Sequence, residues 1–158
     1  HPPPRCYAVR FEISEADPTE AHFALLKRFF DEKIPFNRLL GIEIVELSRG
    51  RATLAIPFRE TLIGDPARPA LHGGVISALA DTCGGAAVWS VLGDRDRVST
   101  IDLRVDYLRP GKPEELRCLG EVQRVGNRVG VAQISLFHPS DPDATVAEAK
   151  GVYSVKRA

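Results

Sequence analysis

LHGGVISALADTCGGAAVWSVLG, residues 71–93, carries one formal charge, Asp81, between Gly73 and Leu92. The rest of the run is Val, Ile, Leu, Ala, Gly, Ser, Thr, Cys and Trp. A helix that is apolar all round is a buried helix, because a solvent-facing side requires polar residues. A carboxylate inside such a helix costs several kcal/mol unless it is paired or hydrogen-bonded. Asp81 therefore calls for a reason, and chemistry supplies one. Residues 73–93 have the length of a membrane span, but the central Asp81, three hydroxyl residues and Gly84-Gly85 argue against one.

Around this helix the pattern is that of strands. Asp17-Pro18-Thr19-Glu20 has the form of a helix start, with Asp at the N-cap and Pro at the first helical position. Phe23, Leu26 and Phe30 then predict an amphipathic helix over about 18–31, with one more turn over 35–40 before Gly41. Tyr7, Val9, Phe11 and Ile13 alternate as a short strand does. Residues 42–47 and 51–58 read as a hairpin around Ser48-Arg49-Gly50, with Ala52, Leu54, Ile56 and Phe58 on one face. A loop rich in Gly and Pro covers 59–70. Four strands follow Gly93. In the first, Ile101, Leu103, Val105 and Tyr107 oppose Asp102, Arg104 and Asp106. The others fall at about 114–125, 129–138 and 145–156. We expect a single domain over 18–158, preceded by an extension, 1–17.

Helix, two strands, long apolar helix, four strands is an α+β order: an antiparallel sheet packed on one buried helix. Sheet on one side cannot enclose a helix that is apolar all round. A second copy of the chain is the simplest cover for the far side.

The chain has 21 Lys plus Arg and 21 Asp plus Glu, so its net charge is zero. That balance lends no support to nucleic-acid or acidic-membrane binding. Cys6, Cys83 and Cys118 are odd in number and lie outside any CxxC pattern, which reads as reduced thiols in a cytoplasmic protein. The opening HPPPRCYAVRFEI lacks an apolar core segment, so no signal peptide is expected. His22 and His138 read as surface or loop residues without metal-ligand spacing. Neither a metal nor another cofactor is expected.

His72-Gly73-Gly74 marks the turn into the helix. Glycines admit a ligand close to the backbone, and free N–H groups at the positive end of the helix dipole favour an anion or a developing oxyanion. From Gly73 to Asp81 is eight residues, roughly 12 Å along a helix. One reacting carbonyl cannot touch both ends of that span. If both groups are catalytic, Asp81 must meet the helix start of another subunit, as two antiparallel helices across a two-fold axis allow. Cys83 lies eleven residues after His72, too far for a same-helix Cys–His pair.

HGGVISALAD, together with VSTIDLRVDYLRPG at 98–111, resembles the hotdog-fold acyl-CoA thioesterases of the PaaI-like group over about residues 35–158. The resemblance implies a curved antiparallel sheet wrapped around one long central helix, here with an extra N-terminal helix. It also implies homodimers with one continuous sheet and composite active sites, commonly paired into homotetramers. Carried over residue by residue, it implies Asp81 as general base or nucleophile, Gly73 as backbone donor to the thioester oxygen, and Ser99 orienting water or carboxylate. His72 stands beside the thioester, with Gly74 next to it in the substrate-binding turn.

Many members of the group have Asn in the loop before HGG, and the nearest counterpart here is Asp65. An Asp there adds negative charge, and two carboxylates that approach each other raise one pKa. Arg109 and Lys112, and Arg124 and Arg128 at the next turn, suit the phosphates of coenzyme A, because Arg presents forked donors. The expected function is hydrolysis of acyl- or aryl-CoA to free acid and coenzyme A. Two rivals stand beside it. One is a hotdog hydratase or dehydratase on acyl thioesters, for which Asp65 and His72 faintly fit. The other is an acyl-CoA-binding regulator without turnover.

Overall fold

The computed structural model describes residues 20–158. The 1–17 extension, the short strand expected over 7–13 and the cap at Asp17 lie outside the described residues.

The first helical stretch comes in three pieces: α1 (Glu20–Arg28), a π turn (Phe29–Lys33) and α2 (Pro35–Leu40). Its buried side is His22, Leu26 and Phe30, at i, i+4 and i+8. Phe23, expected in that stripe, is only half-buried. Gly41 ends α2 in the left-handed region, φ 78°, which an L-residue rarely adopts.

The hairpin follows as β1 (Glu43–Ser48) and β2 (Arg51–Ile56), joined through Gly50. The stretch expected to be loop contains a small hairpin, β3 (Ile63–Asp65) and β4 (Ala70–Leu71). The apolar run then forms α3 (Gly73–Trp89), ending with Ser90 at its C-cap. Four long strands complete the chain: β5 (Arg97–Tyr107), β6 (Leu116–Val125), β7 (Val129–Phe137) and β8 (Ala147–Lys156).

The main sheet is antiparallel with order β1-β2-β6-β7-β8-β5. Helix α3 packs on β2, β5, β6, β7 and β8, so the sheet wraps it. Its inner face, including Val75, Ile76, Leu79, Ala80, Cys83 and Ala86, is buried against strand residues such as Leu54, Leu116 and Ile134. The opposite stripe, Gly74, Ala78, Asp81, Gly85 and Trp89, stays partly exposed.

Gly84 has a tertiary cause. Tyr153 on β8 reaches into the helix and donates its hydroxyl to the Asp81 carbonyl, 2.9 Å away. A Cβ on Gly84 would lie 2.2 Å from the Tyr153 Oη, 2.9 Å from its Cζ and 3.0 Å from Ile134 Cδ1. Gly to Ala inside a helix ordinarily stabilises by ~1 kcal/mol. Here the sign reverses, and we expect Gly84→Ala to destabilise by about 1–3 kcal/mol, the usual cost of overpacking. A chemical denaturation midpoint reads this directly. Adding Tyr153→Phe, which removes the nearest clashing atom, recovers part of the loss.

Two histidines expected at the surface are buried, His22 at 4% and His138 at 3% exposure. His138 receives the Lys112 N–H on Nε2 (2.9 Å) and donates from Nδ1 to the Glu115 carbonyl (2.8 Å). His22 contacts the Asp94 carboxylate through Nδ1 and the Trp89 carbonyl through Nε2. Polar partners from distant parts of the chain make both burials tolerable.

Candidate active site

Strands β3 and β4 bring the chain to the start of α3. The His72 N–H donates to the Leu62 carbonyl (2.8 Å), and the Leu71 N–H to that of Gly111 (2.9 Å). Gly64 is required here: a Cβ on it would lie 2.8 Å from the His72 Cα.

His72 is the N-cap, with φ −60° and ψ 133°. Its Nδ1 accepts the Gly74 N–H at 2.8 Å, which leaves the ring proton on Nε2. The Gly74 donor is thereby occupied by the cap, and a Cβ at position 74 would meet Nδ1 at 2.8 Å. Gly73 differs. As the first helical residue it has no intrahelical acceptor for its N–H. Its carbonyl accepts from Tyr107 Oη and from Ser77 Oγ, both at 3.1 Å. Tyr107, the end of β5, thus steadies the helix start.

Two turns further on, Asp81 sits on the half-covered side of α3. Its Oδ1 accepts from Thr100 Oγ1 at 2.7 Å. Ser99, expected to orient the attacking water or this carboxylate, lines the same cavity, while Thr100 is the hydroxyl bonded to the carboxylate. The cause is a β-bulge at Ile101: Thr100 pairs with Tyr153, and Asp102 with the next residue, Val152. Neighbouring strand residues point to opposite faces, so a bulge decides which hydroxyl is presented. It also breaks the expected alternation, leaving Ile101 58% exposed.

The Asp81 cavity has a volume of about 250 Å³ and is walled by Phe30, Ile34, Phe36, Trp89 and Tyr153. Burial and the adjacent Asp81 charge hold the Tyr153 phenol far above its ordinary range, so it acts as a fixed neutral donor. A second cavity, about 320 Å³, adjoins the helix start and is lined by Leu71, Gly73, Ile76, Tyr107 and Arg109. The two cavities share no lining residue. Within one chain the acid and the helix N-terminus therefore line separate cavities.

The other candidates fall as follows. Arg109 borders the Gly73 cavity, with Nη1 donating to the Thr145 carbonyl at 2.7 Å. Arg128 lies at the β6–β7 turn, beside Arg124 and Asn127 around a separate cavity of about 450 Å³. Asp65 lines neither of these two cavities. Its Oδ1 caps its own turn, accepting the N–H groups of Ala67 (3.0 Å) and Arg68 (3.3 Å). Cys83 is fully buried, with Sγ towards the Ala52 carbonyl. Burial and the neighbouring Cys83 push the Cys118 thiol up, so it stays protonated. Among the described residues no helix is long and apolar enough to cross a membrane.

An antiparallel sheet of six strands wrapped on one long helix is the hotdog fold. The family described as the thioesterase superfamily matches residues 69–145. The chain is 34% identical over 149 residues to the medium/long-chain acyl-CoA thioesterase YigI of Escherichia coli (strain K12), covering 86% of this chain and 95% of that protein. A crystal structure of a Shewanella oneidensis protein related to the thioesterase superfamily matches with TM-score 0.80 and 32% identity, over 89% of this chain and 100% of that one. The E. coli PaaI protein of the phenylacetic acid degradation operon shares the fold, with TM-score 0.70 and 24% identity over 85% of this chain and 88% of that one. The chain belongs to the thioesterase superfamily and is a thioester hydrolase.

Proposed function

We propose that the protein hydrolyses acyl-CoA thioesters at composite sites made by two subunits. The observation that carries this reading is the Asp81 carboxylate, held by Thr100 at the mouth of an apolar cavity on an otherwise apolar helix. The resemblance to YigI supports medium- or long-chain acyl groups over aryl ones.

The second subunit has two reasons to be there. Among the described residues, β5 is an 11-residue edge strand whose one partner is β8, and long open edges invite pairing. The half-covered stripe of α3 also needs a neighbour. A two-fold axis that joins β5 to its copy sets the helices antiparallel, with Asp81 of one facing Gly73 of the other.

In this arrangement the Asp81 carboxylate takes a proton from water, and the hydroxide bonds to the thioester carbon. The carbonyl oxygen becomes an oxyanion and accepts the Gly73 N–H of the facing subunit. Collapse breaks the C–S bond, and the departing sulfur takes the proton from Asp81. With Asp81 as nucleophile, an acyl anhydride forms first and water then cleaves it. Both routes consume one water per thioester. His72 Nε2–H stands beside the thioester to orient it, and Arg109 and Arg128 meet the phosphates of coenzyme A.

Free-thiol release from short, medium and long straight-chain acyl-CoAs and an aryl-CoA tests the reading. The expected result is turnover with a preference for medium or long chains. Absence of thiol release from every member overturns it. Hydration of an enoyl-CoA would favour the hydratase, a reading weakened by the use of Asp65 as a turn cap.

A further inference from the structure

Trp89, the last residue of α3, stands between two cavities. Its indole lines the Asp81 cavity and also a larger one, about 630 Å³, beneath α1. Phe30 belongs to the first cavity and Phe29 to the second. Both rings meet the indole edge-on, with centroids 6.0 and 5.5 Å away. Aromatic side chains thus form the wall between the two spaces. Leu25 and Leu26 add further apolar lining to the larger cavity, and His22 and residues 94–97 add the polar lining.

Size and distance both matter. Sites for small organic molecules run from about 300 to 1,000 Å³, so the Asp81 cavity alone is small for a long acyl tail and the larger cavity is not. Asp81 and Trp89 are eight residues apart, roughly 12 Å along the helix; with C–C bonds of about 1.5 Å, an extended chain meets the indole on the order of ten carbons from the thioester. The ring is also not pinned by a polar contact. Its buried Nε1–H has no hydrogen-bond partner among the described residues, and edge-on aromatic contacts hold it instead.

Building on the thioesterase reading above, we infer that Trp89 is the residue that sets acyl-chain length, and that the cavity beneath α1 is a distal tail subsite it closes off. The occupant is the apolar end of the acyl chain. Continuity through one shared side chain, apolar lining on the near side and sufficient volume all favour it.

The test is kcat/KM across a series of straight-chain acyl-CoAs of increasing length. Trp89→Ala joins the cavities and raises the long-to-medium ratio by at least about tenfold, the scale at which one or a few methylenes discriminate in an apolar pocket. Trp89→Leu gives a smaller shift in the same direction and decides the matter should the alanine variant fail to fold. Leu25→Trp, added to either variant, refills the distal cavity and cancels the gain. A folded Trp89 variant with the wild-type length profile overturns the inference, as does a gain that Leu25→Trp leaves intact. Those outcomes mean that something other than an acyl tail, such as chain from residues 1–19 or a second copy, belongs in the larger cavity. Wild-type protein that releases no thiol at any length removes the thioesterase reading itself, and the inference with it.

Discussion

Asp81→Ala lowers kcat by about 100- to 10,000-fold, the range a positioned general base or nucleophile contributes, while KM moves little. The geometry separates a catalytic from a structural role. The Asp81 carboxylate accepts from Thr100 Oγ1. The bond from Tyr153 goes to its backbone carbonyl and survives any side-chain change. Neither substitution therefore removes the contact that ties α3 to β8. Asp81→Asn sharpens the distinction, because its amide oxygen still accepts from Thr100 but cannot take a proton from water. We expect the Asn variant to lose activity on the same scale with its thermal midpoint close to wild type. Activity near wild type in a folded Asn variant removes Asp81 from the chemistry.

Gly73→Pro carries the second large effect, about 100- to 1,000-fold in kcat, the cost of deleting one oxyanion donor. Proline lacks the N–H, and the first helical position is where a helix tolerates it best. The local backbone suits it: His72 has ψ 133°, the extended conformation that a residue before proline prefers. A Cβ at position 73 meets Tyr107 Cε1 at 3.4 Å, an ordinary contact. The substitution thus removes a donor and leaves the helix.

A mixed dimer then tests whether the site is shared. Co-expressed Asp81→Ala and Gly73→Pro chains, purified through two different tags, contain one site with both defects and one with neither. Recovery of about half the wild-type rate per mixed dimer is expected from that site count, whatever the size of each single loss. No recovery places both groups in the same chain's site, against the spacing along α3.

Much of this was legible in the linear chain. The apolar run around Asp81 announces a buried helix, because no solvent-facing side is provided. The strands over 101–107, 114–125, 129–138 and 145–156 are visible from alternation and turn residues, which are local properties. The glycine helix start and the carboxylate are visible too, as is the roughly 12 Å between them, since helical rise converts spacing into distance.

What remained hidden depends on residues far apart in sequence. Thr100, not Ser99, holds Asp81, because one bulged residue turns the strand, and nothing local signals a bulge. His22 and His138 are buried, because Asp94, Lys112 and Glu115 supply their partners. The Gly74 N–H is taken by His72 Nδ1, and Asp65 Oδ1 caps its own turn, contacts that no spacing rule displays. Gly84 answers to Tyr153, nearly seventy residues away. Periodicity and composition act over a few residues, so the chain alone specifies the long helix and the main strands. Which hydroxyl meets a carboxylate, and which glycine must remain a glycine, is decided by packing between elements, and only the tertiary structure contains it.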